Sequence, residues 1–573
     1  MVCGWTRTKR SRPRLTLAVG VLVLCSTSCG GGEELPTSCV LITLDTTNAK
    51  ALDVYGQNRG LTPQLFELSQ ESVIFTRAHT VAPITLPAHT SMMTGLYPLR
   101  HGVRDNGMMT LSQDADTIAE LAAEAGFETA AFISARVLSS VYGLDQGFDV
   151  YDAPPEAKRA VLSHIVERKA PAVTDEAVAW LQRRDRERPF FLWVHYFDPH
   201  LPYDPPAEFL KLAGGKQYQA EVAAMDSEIG RLLDALREEV GLDELVLSVV
   251  ADHGEAFHRH GEPTHSAYIY EETTRVPFMV RFPGARRAGE RSKEVVSVVD
   301  LYPTFLDAMG LPIPGDLDGL SLSRGQVPED RGVYLESYSG YINYGWSPLA
   351  GWVDAKGKYL HSSNPEYYDL ATDPEELHNL LGEGGRDPST YVAALEALSR
   401  RPRLAVGGAA EISEEQRAEL RALGYATAGD AEAELPDPLE PSERPAPVDS
   451  REQHLAFSEA LALAYGGEES REEAYRLLRR VLEENPSNLQ ARETLGGLLV
   501  DDNRPAEAIE FFEGMLADGH DGYTIRACAG WACERMKRFA EAEQHYVKAL
   551  EKQPGTVKMV ENLERIRRRL RQE

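Results

Sequence analysis

The chain is short of basic residues for its length, and this shortage limits what it can bind. Its 573 residues include 60 Lys and Arg against 89 Asp and Glu, which gives a formal net charge of −29. Binding to nucleic acid depends on neutralising phosphates with Lys and Arg, so the acidic balance argues against a nucleic-acid partner. The length predicts two or three domains, and the composition is typical of globular proteins.

A long membrane-spanning run is missing at the N-terminus, where the apolar residues 15–24 are too few to cross a bilayer stably. Basic residues precede this run, and small residues followed by Cys29 and three glycines resemble a bacterial lipoprotein signal. We expect residues 1–28 to be a signal peptide, Cys29 to carry a lipid and residues 29–36 to be a tether. The mature protein would then be a periplasmic or outer-membrane lipoprotein held to the membrane by its lipid, with plain secretion as the alternative.

Cysteine is also scarce, at six residues. Two of the six lie in the signal segment, and Cys29 is the expected lipid anchor. Cys39 falls in a strand-like run, and Cys528 and Cys533 lie five apart on a predicted helix, where their side chains turn well apart. We therefore predict buried small hydrophobes and no disulfide framework.

Apolar runs alternate with helical patterns over the first half of the chain. Strand-like runs lie at residues 40–44, 73–75, 130–133, 190–194, 245–250 and 277–282, and helical patterns such as 116–125 and 176–184 separate several of them. Near-continuous apolar strands joined by helices predict an α/β sandwich with a mostly parallel sheet. In such sheets, ligands bind outside the carboxyl ends of the strands.

Acids and histidines stand at three of these strand ends. Asp45 follows the first run, Asp198 and His200 follow the run at 190–194, and Asp252 and His253 follow the run at 245–250. One such residue alone has an ordinary interpretation, because Asp after a strand is usually a cap or turn former. Three strand ends that deliver these side chains to one rim predict a metal site, with His265 a short way further along the chain.

Thr85 is a lone hydroxyl residue between Pro83 and Pro87, and a helical pattern begins near Ala88. A hydroxyl at a loop-to-helix junction meets a partly positive helix end, which suits attack on phosphorus or sulfur. The alternative is an ordinary Pro-flanked helix start with Thr85 near the N-cap. The acid and histidine clusters favour the interpretation of Thr85 as a nucleophile.

Ordered motifs give residues 37–425 a resemblance to the sulfatase branch of the alkaline phosphatase superfamily. They are LDTT at 44–47, LTPQL at 61–65, TLPAHTSMMTG at 85–95, HGVRDN at 101–106, FDPH at 197–200, DHGE at 252–255, HGE at 260–262, YEETTRVP at 270–277, VDLYPT at 299–304 and YDLATDPE at 368–375. The resemblance implies an alkaline-phosphatase-like sandwich with a small C-terminal antiparallel sheet over residues 331–380. Three residues of that region, Glu336, Trp346 and Lys358, are candidates for substrate contact, with packing as the alternative.

The resemblance also implies roles for the rim residues. The ligands of a divalent cation would be Asp45, Asp252 and His253, with Thr85 coordinated to the same ion as the catalytic nucleophile. By resemblance, Asn106 would donate a hydrogen bond to a non-bridging oxygen in the transition state. The leaving side would be bound by Asp198, His200 and His265, as ligands of a second metal or as direct donors. Imidazole ligands favour Zn²⁺ or Mn²⁺, in one or two ions, over Ca²⁺ as the alternative.

Thr85 is also the main departure from the sulfatase pattern. Sulfatases carry Cys or Ser at this position and convert it to formylglycine, which Thr cannot yield, and His89 stands in place of their Arg. We therefore predict a metal-dependent, sulfatase-like hydrolase that cleaves phosphate or sulfate esters by attack of Thr85, with a preference for phosphoryl chemistry. The alternatives are a phosphoryl-headgroup transferase acting on cell-envelope acceptors and an inactive protein that works only through its C-terminal region.

That C-terminal region follows a last predicted helix at 411–423 and a Pro- and acid-rich linker at 426–449. Residues 450–573 repeat with a period of 34, because small residues recur at that spacing: Ala474, Ala508 and Ala542, and also Gly496 and Gly530. This is the tetratricopeptide pattern, which predicts an all-α solenoid of three helix pairs and a basic capping helix. The function it predicts is binding of a protein or peptide partner, and a purely stabilising scaffold is the alternative.

Overall fold

The computed structural model describes residues 37–56, 60–107, 109–154, 168–323, 325, 327–381, 385–405, 407–408, 435–467, 470–517, 519–552 and 556–572. The expected signal peptide, Cys29, the tether and the helix predicted at 411–423 lie outside these residues. Within them, no helix is long and apolar enough to cross a membrane.

The main sheet contains eight strands: β1 (Ser38–Leu44), β2 (Val73–His79), β3 (Glu128–Ile133), β4 (Val150–Asp152), β5 (Phe190–Tyr196), β6 (Leu245–Ala251), β7 (Phe278–Arg281) and β8 (Arg291–Ser297). Their order is β4-β3-β5-β1-β6-β7-β2-β8. Only β7 is antiparallel to its neighbours, so the prediction of a mostly parallel sheet is confirmed. The central strands β1, β5 and β6 are buried at every residue, which explains why they read as continuous apolar runs.

Helices connect these strands and cover the sheet. Those of this first region are α1 (Pro63–Gln70), α2 (Thr85–Thr94), α3 (Pro98–His101), α4 (Ile118–Glu124), α5 (Ala170–Arg183), α6 (Ala207–Leu212), α7 (Gln217–Glu239), α8 (Glu271–Thr274), α9 (Leu301–Ala308), α10 (Ser339–Tyr344) and α11 (Ser389–Ser399). Helix α2 begins at Thr85 itself, earlier than the start expected near Ala88.

A second, antiparallel sheet of four strands follows, in the order β12-β11-β10-β9. Its strands are β9 (Val333–Ser337), β10 (Leu349–Val353), β11 (Lys358–His361) and β12 (Glu366–Tyr368). The three residues suggested for substrate contact in this region are buried. Glu336 accepts hydrogen bonds from Nε and Nη2 of Arg104 at 2.8 and 2.6 Å, and Lys358 donates to Glu271 and Thr274. These contacts favour packing roles.

The C-terminal region is all helical: α12 (Arg451–Tyr465), α13 (Arg471–Glu484), α14 (Leu489–Asp501), α15 (Pro505–Ala517), α16 (Tyr523–Arg535), α17 (Phe539–Lys552) and α18 (Val557–Leu570). Gly496 on α14 lies against Phe512 on α15, since a Cβ built there would meet the ring at 2.7 Å. Gly530 on α16 lies against Tyr546 on α17 in the same way, at 2.6 Å. The alanines of the repeat, Ala474, Ala508 and Ala542, are fully buried. The repeat residues therefore mark where paired helices cross closely, and the predicted solenoid is confirmed.

The first repeat helix is packed against the catalytic region. Arg451 donates to the hydroxyl of Tyr270, and the buried ring of His454 lies 5.0 Å from that of Tyr344. Asn485 donates to the carbonyl of Tyr344 at 2.6 Å. The described part of the predicted linker also touches this surface, where Pro445 accepts from the amide of Ser347 at 2.9 Å. The repeats and the α/β region thus share an interface.

Of the three described cysteines predicted to be buried, two are buried and Cys528 is not fully so. Cys39 and Cys533 are buried, Cys528 is half-buried, and no disulfide joins any of these three residues. Burial raises the pKa of the Cys533 thiol to about 11, which keeps it protonated and unreactive.

Candidate active site

Two neighbouring strand ends build the centre of the site. Asp45 follows β1, and Asp252 and His253 follow β6, which is parallel to β1. Parallel neighbours end at the same edge of the sheet, so these side chains meet there. The Nε2 atom of His253 lies 3.5 Å from Oδ2 of Asp252 and 3.9 Å from Oδ1 of Asp45. One ligand atom from each of the three residues falls within 4.8 Å of the others, an arrangement that can hold a metal ion.

Two further histidines, which the sequence did not single out as ligands, complete this centre. His195 lies in β5, on the other side of β1, with Nε2 3.4 Å from Oδ2 of Asp45. His89 lies on α2, with Nδ1 3.7 Å from Oδ2 of Asp252 and 2.8 Å from the carbonyl of Thr85. A second group of potential ligands therefore consists of His89, His195 and Asp252. His195 could have been identified as a candidate ligand from its position at the end of a central strand. His89 lies inside a helix, where its sequence position gives no such indication.

The charges at this centre favour a bound cation. Both carboxylate oxygens of Asp45 and Oδ2 of Asp252 are buried without a hydrogen-bond partner. Burial raises the pKa of Asp45 well above its usual range, and the nearby Glu255 adds to the rise. Burial and the charge of Asp45 do the same to the pKa of Asp252. Burial also lowers the pKa of His253 well below its usual value, so its imidazole is neutral and able to ligate. The donor set fits a divalent metal ion.

Thr85 is the first residue of α2, whose ten residues are all buried. The N-cap residue, Ile84, has no side chain that can cap the helix, and Oδ1 of Asn106 accepts the amide of Leu86 at 2.8 Å instead. The Nδ2 amide of Asn106 is buried and has no hydrogen-bond partner among the described residues, so it remains an unused donor. The hydroxyl of Thr85 lies 3.4 Å from Nε2 of His253.

His200 and His265 continue the site away from Thr85. The ring of His265 is 4.4 Å from that of His253, and the ring of His200 lies a further 5.3 Å on. Burial lowers the pKa of His200 to about 3 and that of His265 to about 4, so both are neutral near pH 7. Nδ1 of His265 lies 3.6 Å from Glu255, whose pKa burial raises to about 8.

Asp198, also predicted at this side, is engaged elsewhere. Its Oδ2 accepts the amide of Ala170 at 3.0 Å, at the start of α5, and its Oδ1 lies 3.8 Å from Nζ of Lys169. The structure does not bring its carboxylate into the group formed by Asp45, Asp252 and His253, and its metal role stays a prediction.

A third cluster of potential ligands, His260, Glu272 and Glu376, lies apart from this centre. Lys358 is 3.0 Å from Glu376, and Arg259 is 3.2 Å from Glu272. These cations already balance the two carboxylates, so no metal ion is required there.

A mostly parallel sheet with carboxylates and histidines at its carboxyl edge, followed by a small antiparallel sheet, is the alkaline-phosphatase-like architecture predicted from the sequence. Residues 37–311 match the sulfatase family model, and residues 264–395 match the model described as N-sulphoglucosamine sulphohydrolase, C-terminal. Residues 467–527 match a tetratricopeptide repeat model. Residues 37–395 are therefore a sulfatase-family region, and tetratricopeptide repeats lie behind it.

Curated relatives and solved structures agree with this assignment. An N-acetylglucosamine-6-O-sulfatase of Bacteroides thetaiotaomicron is 24% identical over 494 residues, covering 64% of this chain and 87% of that protein. An arylsulfatase of Clostridium perfringens is 26% identical over 432 residues, covering 60% and 89%. The phosphonate monoester hydrolase of Agrobacterium radiobacter has the same fold, with a TM-score of 0.54 at 22% identity, and the match covers 63% of this chain and 95% of that one.

Proposed function

We propose that this protein is a metal-dependent hydrolase that cleaves phosphate or sulfate esters by attack of the Thr85 hydroxyl. The observation that carries the proposal is the position of that hydroxyl, 3.4 Å from Nε2 of His253. The same Nε2 lies next to Asp45, whose two carboxylate oxygens have no hydrogen-bond partner among the described residues, and to Asp252, whose Oδ2 has none there either. A buried hydroxyl at the start of a buried helix is also close to the partly positive end of the helix. Both features suit an activated oxygen nucleophile.

Asp45, Asp252 and His253 would hold the divalent ion, and His89 and His195 are further ligand candidates. The mixture of imidazole and carboxylate favours Zn²⁺ or Mn²⁺, since Ca²⁺ prefers oxygen ligands. Once bound, such an ion lowers the pKa of a neighbouring hydroxyl and neutralises negative charge on the substrate.

The remaining steps of the proposed reaction are assigned to side chains of the protein. The Oγ1 atom of Thr85 would form a bond to phosphorus or sulfur while the ester bond to the alcohol oxygen breaks. The Nδ2 amide of Asn106 would donate to a non-bridging oxygen as charge builds there. His265, neutral and with one ring N–H, would donate to the departing oxygen. The ring N–H of neutral His200 is on Nδ1 and donates to the carbonyl of Leu201 at 2.6 Å, so His200 would offer Nε2 as a ligand of a second metal ion. Water would then release the group from Thr85.

Phosphoryl transfer is the preferred reaction of the two. Thr85 carries a methyl group on Cβ and cannot be oxidised to the aldehyde of formylglycine, whereas phosphoryl transfer needs only positioning and charge neutralisation. Relatives named as sulfatases keep sulfate esters as the second candidate. The phosphoryl-headgroup transferase is the remaining alternative, and it requires an acceptor other than water.

The test compares hydrolysis of aryl phosphate monoesters, phosphate diesters, phosphonates and sulfates by the metal-stripped and metal-reloaded enzyme. We expect metal-dependent cleavage of a phosphorus ester, loss of at least about a thousandfold in Thr85→Val, and partial retention in Thr85→Ser. Valine matches the shape of Thr, so folding is preserved while the nucleophile is removed. Unchanged activity in Thr85→Val would contradict the proposal, and cleavage of sulfates alone would overturn the preference for phosphoryl chemistry.

We also propose export of the protein and lipidation at Cys29, based on the N-terminal sequence pattern. The repeats are proposed to bind a protein or peptide partner, as helical solenoids of this type generally do. A Cys29→Ala variant that still fractionates with membranes would count against the lipid anchor.

A further inference from the structure

A short loop connects the candidate active site to the repeats. It spans residues 255–265 and is called the His265 loop from here on. Its two ends meet, because the amide of Ala256 donates to the carbonyl of Thr264 at 2.7 Å. Nδ1 of His265 lies 3.6 Å from the carboxylate of Glu255 at the same place. The base of this loop therefore carries the ring that is proposed above to donate to the departing oxygen.

Backbone strain in this loop makes its shape depend on outside contacts. The φ angles of Phe257, His258 and His260 are +52°, +64° and +52°, in the left-handed region that residues with a side chain rarely adopt. Such residues are unfavourable on their own and persist only where the surrounding structure holds them. The position of His265 at the end of the loop therefore depends on the groups that pack against the loop.

The α/β region supplies some of these contacts. Arg259 forms an ion pair with Glu375 and a second one, at 3.2 Å, with Glu272. Directly after the loop, the hydroxyl of Ser337 donates to the carbonyl of Ser266. These contacts hold the Arg259 side of the loop and the chain that leaves it.

The repeats supply another set of contacts, through Arg451 on α12. A Cβ at Gly261 would come within 2.9 Å of Cβ of Arg451, so this helix packs directly on the loop. The guanidinium of Arg451 lies 5.2 Å from the ring centroid of Tyr270 and donates to its hydroxyl. The ring of His260 is stacked with that of Tyr270, at 4.1 Å. Tyr270 thus links a side chain of the repeats to the loop.

We propose that the repeats complete the leaving side of the active site, with Arg451 as a positioning residue that acts on His265 through Tyr270 and the loop. This inference rests on the proposed function and adds to it a part for the repeats in the reaction. As the bond between phosphorus and the alcohol oxygen breaks, negative charge builds on that oxygen. A donor must lie within about 2.6–3.2 Å of the oxygen to stabilise this charge, so a loosened His265 loop weakens the contribution of His265.

The test compares two substrates that differ in how much they need a donor. 4-Nitrophenolate is a weak base and departs readily, whereas phenolate is a stronger base whose departure depends on a hydrogen bond. Arg451→Gln keeps the Cβ that packs against Gly261 and removes the cation. In the metal-loaded full-length protein, we expect it to lower kcat/KM about tenfold for phenyl phosphate and less than about threefold for 4-nitrophenyl phosphate. Arg451→Lys, which keeps the charge, should lose less.

Amide hydrogen exchange of residues 256–265, measured on the metal-loaded proteins without substrate, reports on the loop independently of the reaction. We expect faster exchange in Arg451→Gln than in the wild type. His260→Asn removes the ring that stacks on Tyr270, and Asn tolerates the left-handed backbone at this position. It serves if Arg451→Gln does not fold, and it should show the same difference between the two esters and the same faster exchange.

The matched control is Arg480→Gln, because Arg480 is an exposed arginine on α13 that pairs with Glu484 along its own helix. It should change neither measurement. An equal fall in kcat/KM for both esters, no change in either, or unchanged exchange would overturn this inference.

The two proposals can fail separately. Thr85-dependent hydrolysis in which Arg451→Gln keeps the wild-type ratio between the two esters removes only the role of the repeats. Faster exchange without Thr85-dependent hydrolysis removes the proposed reaction and leaves the hold of the repeats on His265.

Discussion

At the scale of single residues, Asn106 has two roles that can be separated by substitution. Its Oδ1 accepts the amide of Leu86 and so caps α2, while its buried Nδ2 has no hydrogen-bond partner among the described residues and is the proposed transition-state donor. Asn106→Asp keeps the acceptor and removes the donor. We expect kcat to fall about 10²- to 10³-fold, the usual cost of losing one transition-state donor, while the cap on α2 is kept.

The comparison variant for that experiment is Asn106→Ala, which removes the cap as well. It should lose activity to a similar degree and also unfold at a lower temperature, since an unfilled N-cap costs roughly 0.5–2 kcal/mol. Full activity in Asn106→Asp would show that the Nδ2 donor takes no part in the reaction.

Asp45 and Asp252 repel one another in the absence of a cation, and this gives a prediction about metal removal. Asp45 accepts no hydrogen bond through its side chain, so Asp45→Asn removes a buried charge without losing an acceptor. We expect the variant to melt at a higher temperature than the metal-stripped wild type. Added Zn²⁺ or Mn²⁺ should stabilise the wild type by about 2.7 kcal/mol at a hundredfold excess over Kd, and the variant far less. Calorimetric melting of the wild type and the variant, each with the metal removed and with it added back, measures these differences in melting temperature. Equal stabilisation by metal would remove Asp45 from the ligands.

The central residues of this site were predictable from the sequence. Two buried parallel strands end at the same edge of the sheet, which brings Asp45 to Asp252 and His253. The contact between the carboxylate of Asp198 and the amide of Ala170 could not be predicted, because Asp198 lies in a loop, Ala170 begins α5, and only tertiary packing brings them together. The role of His89 could not be predicted for a similar reason, because this helical side chain meets Asp252 only through the burial of the whole of α2.

At the scale of helices and strands, the tetratricopeptide glycines allow a prediction with a neighbouring control. A Cβ at Gly496 would meet the ring of Phe512 at 2.7 Å, whereas a Cβ at the next residue, Gly497, meets nothing within 4 Å. We expect Gly496→Ala to destabilise the repeats by about 1–3 kcal/mol through overpacking. Gly497→Ala should stabilise them by up to about 1 kcal/mol, because alanine favours the helix.

Urea unfolding followed by circular dichroism measures both variants. If the two substitutions shift stability in the same direction, close helix crossing is not the reason for glycine at position 496.

The elements themselves were largely predictable. The strands at 40–44 and 245–250 are uninterrupted apolar runs because both of their faces are buried, and the period of 34 shows the repeats directly. The short strand β4 was missed, because its three half-buried residues carry no pattern. The early start of α2 was missed because a buried helix with two prolines near its start has little amphipathic pattern.

At the scale of the whole molecule, the repeats are joined to the segment that holds His265. Arg451 on α12 contacts Tyr270, and its side chain lies against Gly261, where a Cβ would come within 2.9 Å. Glu262, in the same segment, accepts the amide of Ala267 at 2.7 Å. A substitution on the repeat side should therefore loosen residues 261–270.

The variant Arg451→Glu tests this connection. The guanidinium of Arg451 lies 3.6 Å from the buried carboxylate of Glu366, and the substitution replaces this cation with an acid. We expect faster amide hydrogen exchange across residues 261–270 and a lower melting temperature. Arg480→Glu is the control, since that side chain is 64% exposed on α13 and pairs only along its own helix, with Glu484. Unchanged exchange in the Arg451 variant would mean that the repeats do not stabilise this part of the site.

The assignment of Thr85 as the nucleophile is tested most directly by trapping the covalent intermediate. The metal-loaded enzyme is mixed with an aryl phosphate monoester, quenched in acid and digested, and the peptide that contains Thr85 is analysed by mass spectrometry. We expect this peptide to gain the mass of one phosphoryl group at Thr85, with no such gain in Thr85→Val. Rapid turnover with an unmodified Thr85 peptide, together with an active Thr85→Val enzyme, would contradict the assignment.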